Sequence, residues 1–222
     1  MKKLILSAVT KYLAGIIMVM LLLFLPAGTV HYFGAWLFIA LLFIPMFFLG
    51  LVLLKKAPEL LEKRLQSKEK QGEQKKVVAA AALIFLLGFI LSALDFRFSI
   101  SNMPRIVSFI AGGVLLLSYG MYAEVMRENA YLSRTVEVQE NQKVIDTGLY
   151  GVVRHPMYFS TVLLFLSIPL VLGSYIGFAL FLIYPLVLTK RIKAEEELLK
   201  DQLPGYLEYT KKVRWRMLPF IY

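Results

Sequence analysis

Between Lys11 and Lys55 the chain runs for 43 residues without an aspartate, glutamate, lysine or arginine. A bilayer core about 30 Å thick takes about 20 apolar helical residues to cross, so this stretch holds two spans. Pro26, Gly28 and Gly34, with His31 and Tyr32 between them, mark the turn between spans 12–25 and 35–54. Further uncharged runs cover 77–94, 106–123 and 156–189. The last has 34 residues, too many for one span and few for two of full length. With Gly173 and Ser174 at its middle it reads as a tight helical hairpin whose arms are short for the bilayer. The expected fold is an all-α integral membrane protein of about six hydrophobic helices, followed by a cytoplasmic C-terminal helix. A chain with 59% hydrophobic and 18% charged residues is too apolar for an ordinary soluble domain of this length.

The net charge of +10 would suggest nucleic acid in a soluble protein, but its distribution points elsewhere. Of 25 basic residues, all but Arg97 and Arg105 fall at the N-terminus, in the connector 55–76, in 127–154 or in 190–216. These segments share one side of the predicted topology, which places both termini and both large loops in the cytoplasm. Membrane lipids are then the expected partners, and nucleic acid is not one. Residues 1–25 have the basic start and apolar run of a signal peptide but no convincing small-residue cleavage site, and are expected to remain as the first helix. The chain has no cysteine and two histidines, His31 and His155, on opposite predicted sides. Disulfides, thiolate nucleophiles, cysteine-ligated metals and a two-histidine metal site are therefore excluded. Nothing in the pattern specifies an oligomeric state.

Two regions are expected: a four-span region, 1–123, with its charged connector 55–76, and a catalytic region, 124–222. In the connector, Glu and Lys at helical spacings after Pro58 suggest a solvated or interfacial helix. In the second region about 30 residues of cytoplasmic sequence, with the alternating "TVEVQ", precede the hairpin. A loop of that length between membrane helices is more often functional than idle. After the hairpin the last helix runs on out of the membrane until Pro204 and Gly205 break it.

"RHPMY" lies at the lip of the hairpin. Pro156 suits the first turn of a helix, which puts Arg154 and His155 at its N-terminal mouth, where free N–H groups and the positive dipole end favour an anion. Tyr158 follows three and four residues later, on about the same face. Alone, Arg154-His155-Pro156 reads first as a basic anchor at the headgroups. Arg191, Glu195 and Glu196 form a second cluster beyond the sixth span, which alone reads as a solvated helix end. A hairpin turning at Gly173 lays its arms side by side and brings both clusters to one membrane face. Carboxylates able to accept from ribose hydroxyls or an ammonium then face an arginine, a histidine and tyrosines.

These residues resemble the isoprenylcysteine carboxyl methyltransferase family, in particular its small prokaryotic members. The resemblance rests on "NAYLSRTVEVQENQKVIDTGLYGVVRHPMY", the hydrophobic hairpin, "RIKAEE" and "PGYLEYTKKV", and covers 129–213. It implies a membrane enzyme that uses S-adenosylmethionine (SAM) to methylate a lipid-like acceptor from the bilayer, for instance a prenylcysteine-like carboxylate. It implies further that Tyr150, Arg154, His155, Pro156 and Tyr158, with Glu195 and Glu196, bind the cofactor. Arg191 would orient an acceptor carboxylate as the catalytic residue, and Tyr206 and Tyr209 would belong to a closing segment. The family pattern has glycine two residues after the motif tyrosine, where this chain has Ser160, and GPY where this chain has Gly148-Leu149-Tyr150. Two other readings remain at this stage. One is an NADPH-dependent membrane reductase of the sterol reductase type; the other is a non-enzymatic multi-span protein, which would place ionisable residues well inside its spans.

Overall fold

Six apolar helices form the bundle, and the polar groups at one end of it set the register of the last two. The computed structural model describes residues 2–65, 72–132 and 138–222. Helices α1 (Lys2–Ala27) and α2 (Phe33–Lys56) make the first hairpin, and a short α3 (Pro58–Leu65) realises the predicted connector helix. The rest of that connector, and most of "TVEVQ", lies outside the described residues. Then come α4 (Gly72–Phe98), α5 (Arg105–Glu128), α6 (Pro156–Val171), α7 (Tyr175–Phe181), α8 (Tyr184–Gln202) and α9 (Tyr206–Lys212). All regular structure among the described residues is helical. Among the described residues five segments are long and apolar enough to cross a membrane, α7 and α8 together making the fifth, and α6 is a shorter apolar helix. The chain is an integral multi-pass membrane protein.

The hairpin is as expected, with Gly173 in the left-handed region at φ +82°. Its first arm, α6, has 16 residues, about 24 Å of helix and hence short for a bilayer. The second arm breaks after Phe181, which the charge pattern did not foretell. Pro185 lacks the N–H that would bond the Phe181 carbonyl, and the chain re-enters helix at Tyr184. Gly205, at φ +84°, separates α8 from α9 where the sequence placed the break.

The hairpin tip is fixed by a buried carboxylate. Asp95, at the end of α4, accepts from the Ser101 backbone N–H and hydroxyl, each at 2.7 Å, and from the Ser174 hydroxyl at 2.5 Å. Both hydroxyls in turn accept N–H groups from the first turn of α7, Tyr175 to Ser101 and Gly177 to Ser174. The positive end of α7 is thus relayed onto a carboxylate that is almost wholly buried. The Tyr32 hydroxyl donates to the Leu172 carbonyl at 2.7 Å, and its ring stacks on Phe96. A Cβ on Gly34 would lie 2.9 Å from the backbone oxygens of Val171 and Leu172, so α2 approaches the tip as closely as only glycine permits. Below this clamp α5 packs along α6, and α4 along α7 and α8.

Replacing Asp95 by alanine leaves the Ser101 N–H and the Ser101 and Ser174 hydroxyls without their acceptor, and is expected to cost about 2–3 kcal/mol. Thermal unfolding in detergent should show a clear fall for Asp95→Ala and for Gly34→Ala, and a smaller one for Ser101→Ala.

Candidate functional site

At the other end of the bundle a cavity of about 450 Å³ opens between α4, α6, α8, α9 and residues 129–132 and 142–150. Its volume is that of a typical small-molecule site. One part of its wall is polar, carrying Asn129, Gln142, Lys143, Arg154, His155, Tyr158, Arg191 and Glu195. The part reaching between the membrane helices is apolar, with Val78, Ala81 and Phe85 of α4, Phe165 of α6, and Tyr184 and Val187 of α8. Edge-on aromatic packing holds that part in shape: Phe85 and Phe165 are 4.3 Å apart between centroids, Phe165 and Tyr184 4.7 Å.

Both sequence clusters arrive here. His155 caps α6 with Pro156 at its first position, as the motif suggested. Arg154 and His155 stand across from α8, and Tyr158 bridges the helices: its hydroxyl donates to Glu195 Oε2 at 2.5 Å and accepts from Arg191 Nε at 2.9 Å. Tyr150 is fixed from two sides, its hydroxyl accepting from Asn129 Nδ2 at 2.8 Å and its carbonyl from the Tyr209 hydroxyl at 2.7 Å. Gly148, at φ +52°, begins that turn against the Glu128 carboxylate, which leaves no room for a Cβ.

Two of the sequence candidates take a different position. Pro156 and Glu196 are not on the cavity wall. Glu196, 1% exposed, points away from Glu195 into the protein. Arg154 Nε donates to its Oε1 at 2.6 Å, His155 Nε2 lies 3.3 Å from the same oxygen, and Arg216 Nε donates to its Oε2 at 2.9 Å. The 100° between successive helical residues separates the two glutamates: one faces the cavity, the next supports its wall.

Several contributors escaped the sequence reading. Residues 213–216 pair with the start of α6: Arg154 N–H donates to the Trp215 carbonyl at 2.9 Å and His155 N–H to that of Arg216 at 2.7 Å. Arg154 Nη1 adds bonds to the Val213 and Arg214 carbonyls. Gln142 and Lys143 reach the wall from the loop, and Phe85 from α4, so the apolar surface draws on the four-span region. Tyr206, which the resemblance assigned to a closing segment, lines the cavity beside Tyr209, and its buried hydroxyl has no hydrogen-bond partner among the described residues. Burial first, and then Glu196 and Glu195, raise the Tyr206 phenol well above its ordinary value; burial and Tyr150 do the same for Tyr209. Both act as neutral hydroxyls.

Glu196→Ala strands two arginines and is expected to cost about 3–5 kcal/mol, read as a large fall in melting temperature. Tyr206→Phe removes an unsatisfied hydroxyl and should leave the melting temperature of the ligand-free protein unchanged or slightly raised.

Residues 109–201 match the family model described as the isoprenylcysteine carboxyl methyltransferase (ICMT) family. A stretch of 93 residues is 28% identical to the Delta(14)-sterol reductase of Methylotuvimicrobium alcaliphilum. That match covers 40% of this chain and only 22% of the reductase, so the likeness extends over about a fifth of that protein. The family match takes in α5, the loop, α6, α7 and α8 through Glu195 and Glu196; Tyr206, Tyr209 and Arg216 lie beyond it. The residues brought to one cavity, Tyr150, Arg154, His155, Tyr158, Arg191 and Glu195, all lie within the stretch 109–201 that is similar to the isoprenylcysteine carboxyl methyltransferase family.

Proposed function

We propose that the protein is a SAM-dependent methyltransferase acting on a lipidic or membrane-embedded acceptor. The observation that carries this reading is the two-sided cavity, polar where the helices end and aromatic between them, built on residues of a methyltransferase family. A zwitterionic nucleoside cofactor needs carboxylate, amide and aromatic partners in one place. Glu195, Asn129, Gln142 and the tyrosines 150, 158 and 206 present that set, and the unpartnered Tyr206 hydroxyl fits a wall completed by a ligand. SAM, when bound, supplies a methyl group activated on a sulfonium.

The chain's own part is to hold, orient and exclude water. Glu195 would take the ammonium or ribose hydroxyls of the cofactor, with Tyr158 fixing its carboxylate. His155, Arg154 and Tyr150 would line the same subsite, while Pro156 and Glu196 hold that wall from behind. Arg191, already tied to Tyr158, would orient an acceptor carboxylate such as that of a prenylcysteine. Phe85, Phe165, Tyr184 and Val187 would receive the apolar part of the acceptor and keep water from the transferring group. No nucleophilic side chain is required, in keeping with a chain without cysteine. The distribution of basic residues supports a cytoplasmic mouth, reached by soluble SAM from the cytoplasm and by the acceptor from the bilayer.

A second reading is favoured by the 28% identity to a sterol reductase: the same polar wall would hold NADPH, with a reduction in the apolar part. Calorimetry on purified protein separates the two. SAM is expected to bind, and Glu195→Ala to weaken it roughly tenfold or more through loss of charge-assisted hydrogen bonds; His155→Ala should weaken it less. Label from methyl-labelled SAM should appear in a lipid-soluble product of membranes containing the protein. Well-folded protein that ignores millimolar SAM, or that oxidises NADPH with a sterol and transfers no label, would overturn the methyltransferase reading.

A further inference from the structure

Beyond Arg216, which holds Glu196, the chain closes on itself. Met217 and Leu218 N–H groups both donate to the Tyr222 carbonyl, at 2.8 and 3.0 Å, and the Ile221 and Tyr222 N–H groups donate to that of Leu218. Met217 is 2% exposed, and Leu218 and Tyr222 pack against the core shared by the membrane helices. The loop is therefore built onto the bundle at the level where α6 begins and α8 leaves it.

Its tip does the opposite. Phe220 is 84% and Ile221 77% exposed, the highest values of any large apolar residue among those described. Phe220 also takes φ +66°, a left-handed conformation that is strained for a bulky aromatic residue. A folded loop thus accepts backbone strain while presenting two large apolar side chains outward. The Trp215 ring lies 5.7 Å from that of Phe220, and the basic residues Arg214 and Lys211 beside it are exposed.

In water such a tip is a liability. At a bilayer interface the same residues are the favoured set: aromatic and aliphatic side chains inserted at the headgroup boundary, with cations facing anionic lipid. The loop is seated on the bundle through Leu218 and Tyr222, and its basic flank complements anionic headgroups.

We propose that Phe220 and Ile221, with Trp215, Arg214 and Lys211, form an interfacial anchor that inserts among anionic lipid headgroups beside the cavity. Anchor and site wall are one short segment, since Arg216 binds Glu196 and its carbonyl binds the backbone of His155.

The absence of native cysteine makes the test direct. Single nitroxide labels are placed at Ile221→Cys and, as an aqueous reference, at the exposed Glu208→Cys on α9, in vesicles of phosphatidylcholine and phosphatidylglycerol. The label at 221 should collide readily with oxygen and poorly with a water-soluble nickel chelate, and the label at 208 the reverse. Equal chelate access at both positions overturns the proposal. So does shielding of 221 from both reagents, which would mean that a protein partner or a second copy covers it. In a Trp36→Phe background, where Trp215 is the single tryptophan, Phe220→Ser/Ile221→Ser should raise iodide quenching about twofold as the loop leaves the interface. Unchanged quenching in a variant of normal helix content overturns it equally.

Discussion

The arrangement at the mouth of the bundle depends on one buried carboxylate. Glu196 receives Arg154 from the start of α6 and Arg216 from the segment after α9, with His155 beside it and Lys200 at 3.9 Å. Three pieces of chain far apart in sequence are thereby held together. A lone charge there would be very costly, since burial strips it of water. With both oxygens paired to guanidinium groups it becomes a fixed point from which the cavity-facing residues are aimed. Tyr158 and Arg191 are one turn away, and Glu195 is the adjacent residue. The opposite end of the hairpin is held by Asp95, which contains the same register from the other side.

The division of the cavity follows from where these two clamps stand. The polar wall lies where the helices end, so its charges keep access to water and need not be neutralised in hydrocarbon. The aromatic wall lies between helices whose outer surfaces are themselves apolar, and its rings meet edge-on and fill the space. That division is what the proposed amphiphilic acceptor would require. Catalysis by positioning and exclusion of water asks for little more.

Much of this was legible in the sequence. Uncharged runs gave the spans, because the bilayer tolerates few charges, and Gly173 in a run of 34 residues gave the hairpin that returns Arg191 and Glu195 to Arg154 and His155. Periodicity gives an angle only relative to neighbours, so it could not tell whether Glu195 or Glu196 faces the cavity. The pairing of 213–216 with 154–155 is made by backbone atoms, which carry no side-chain signature. Phe85 was hidden for another reason: on an apolar helix every face looks alike until packing selects one. The break before Tyr184 was written in Pro185, but a proline within a long uncharged run is compatible with a kinked span as well as with two helices.

The three successive glutamates 195–197 show what the buried node contributes beyond stability. Glu195 lines the cavity, Glu196 is enclosed, and Glu197 is exposed to solvent. A slip of α8 by one residue would rotate it about 100° and exchange these environments. The composition of the helix end alone would resist that slip little in one direction, because Glu196 and Glu197 would then arrive at the cavity and enclosed positions. The geometry around Glu196 does resist it. Buried ion pairs of this kind add little net stability over an apolar core, while a mispaired one costs several kcal/mol. Arg154 and Arg216 approach from two sides and are themselves fixed by backbone carbonyls and by Tyr222. A carboxylate displaced by a residue's rise, about 1.5 Å, would leave at least one guanidinium buried and unpaired. The node therefore selects one rotation of α8, and with it the rotation that turns Glu195 and Arg191 toward Tyr158.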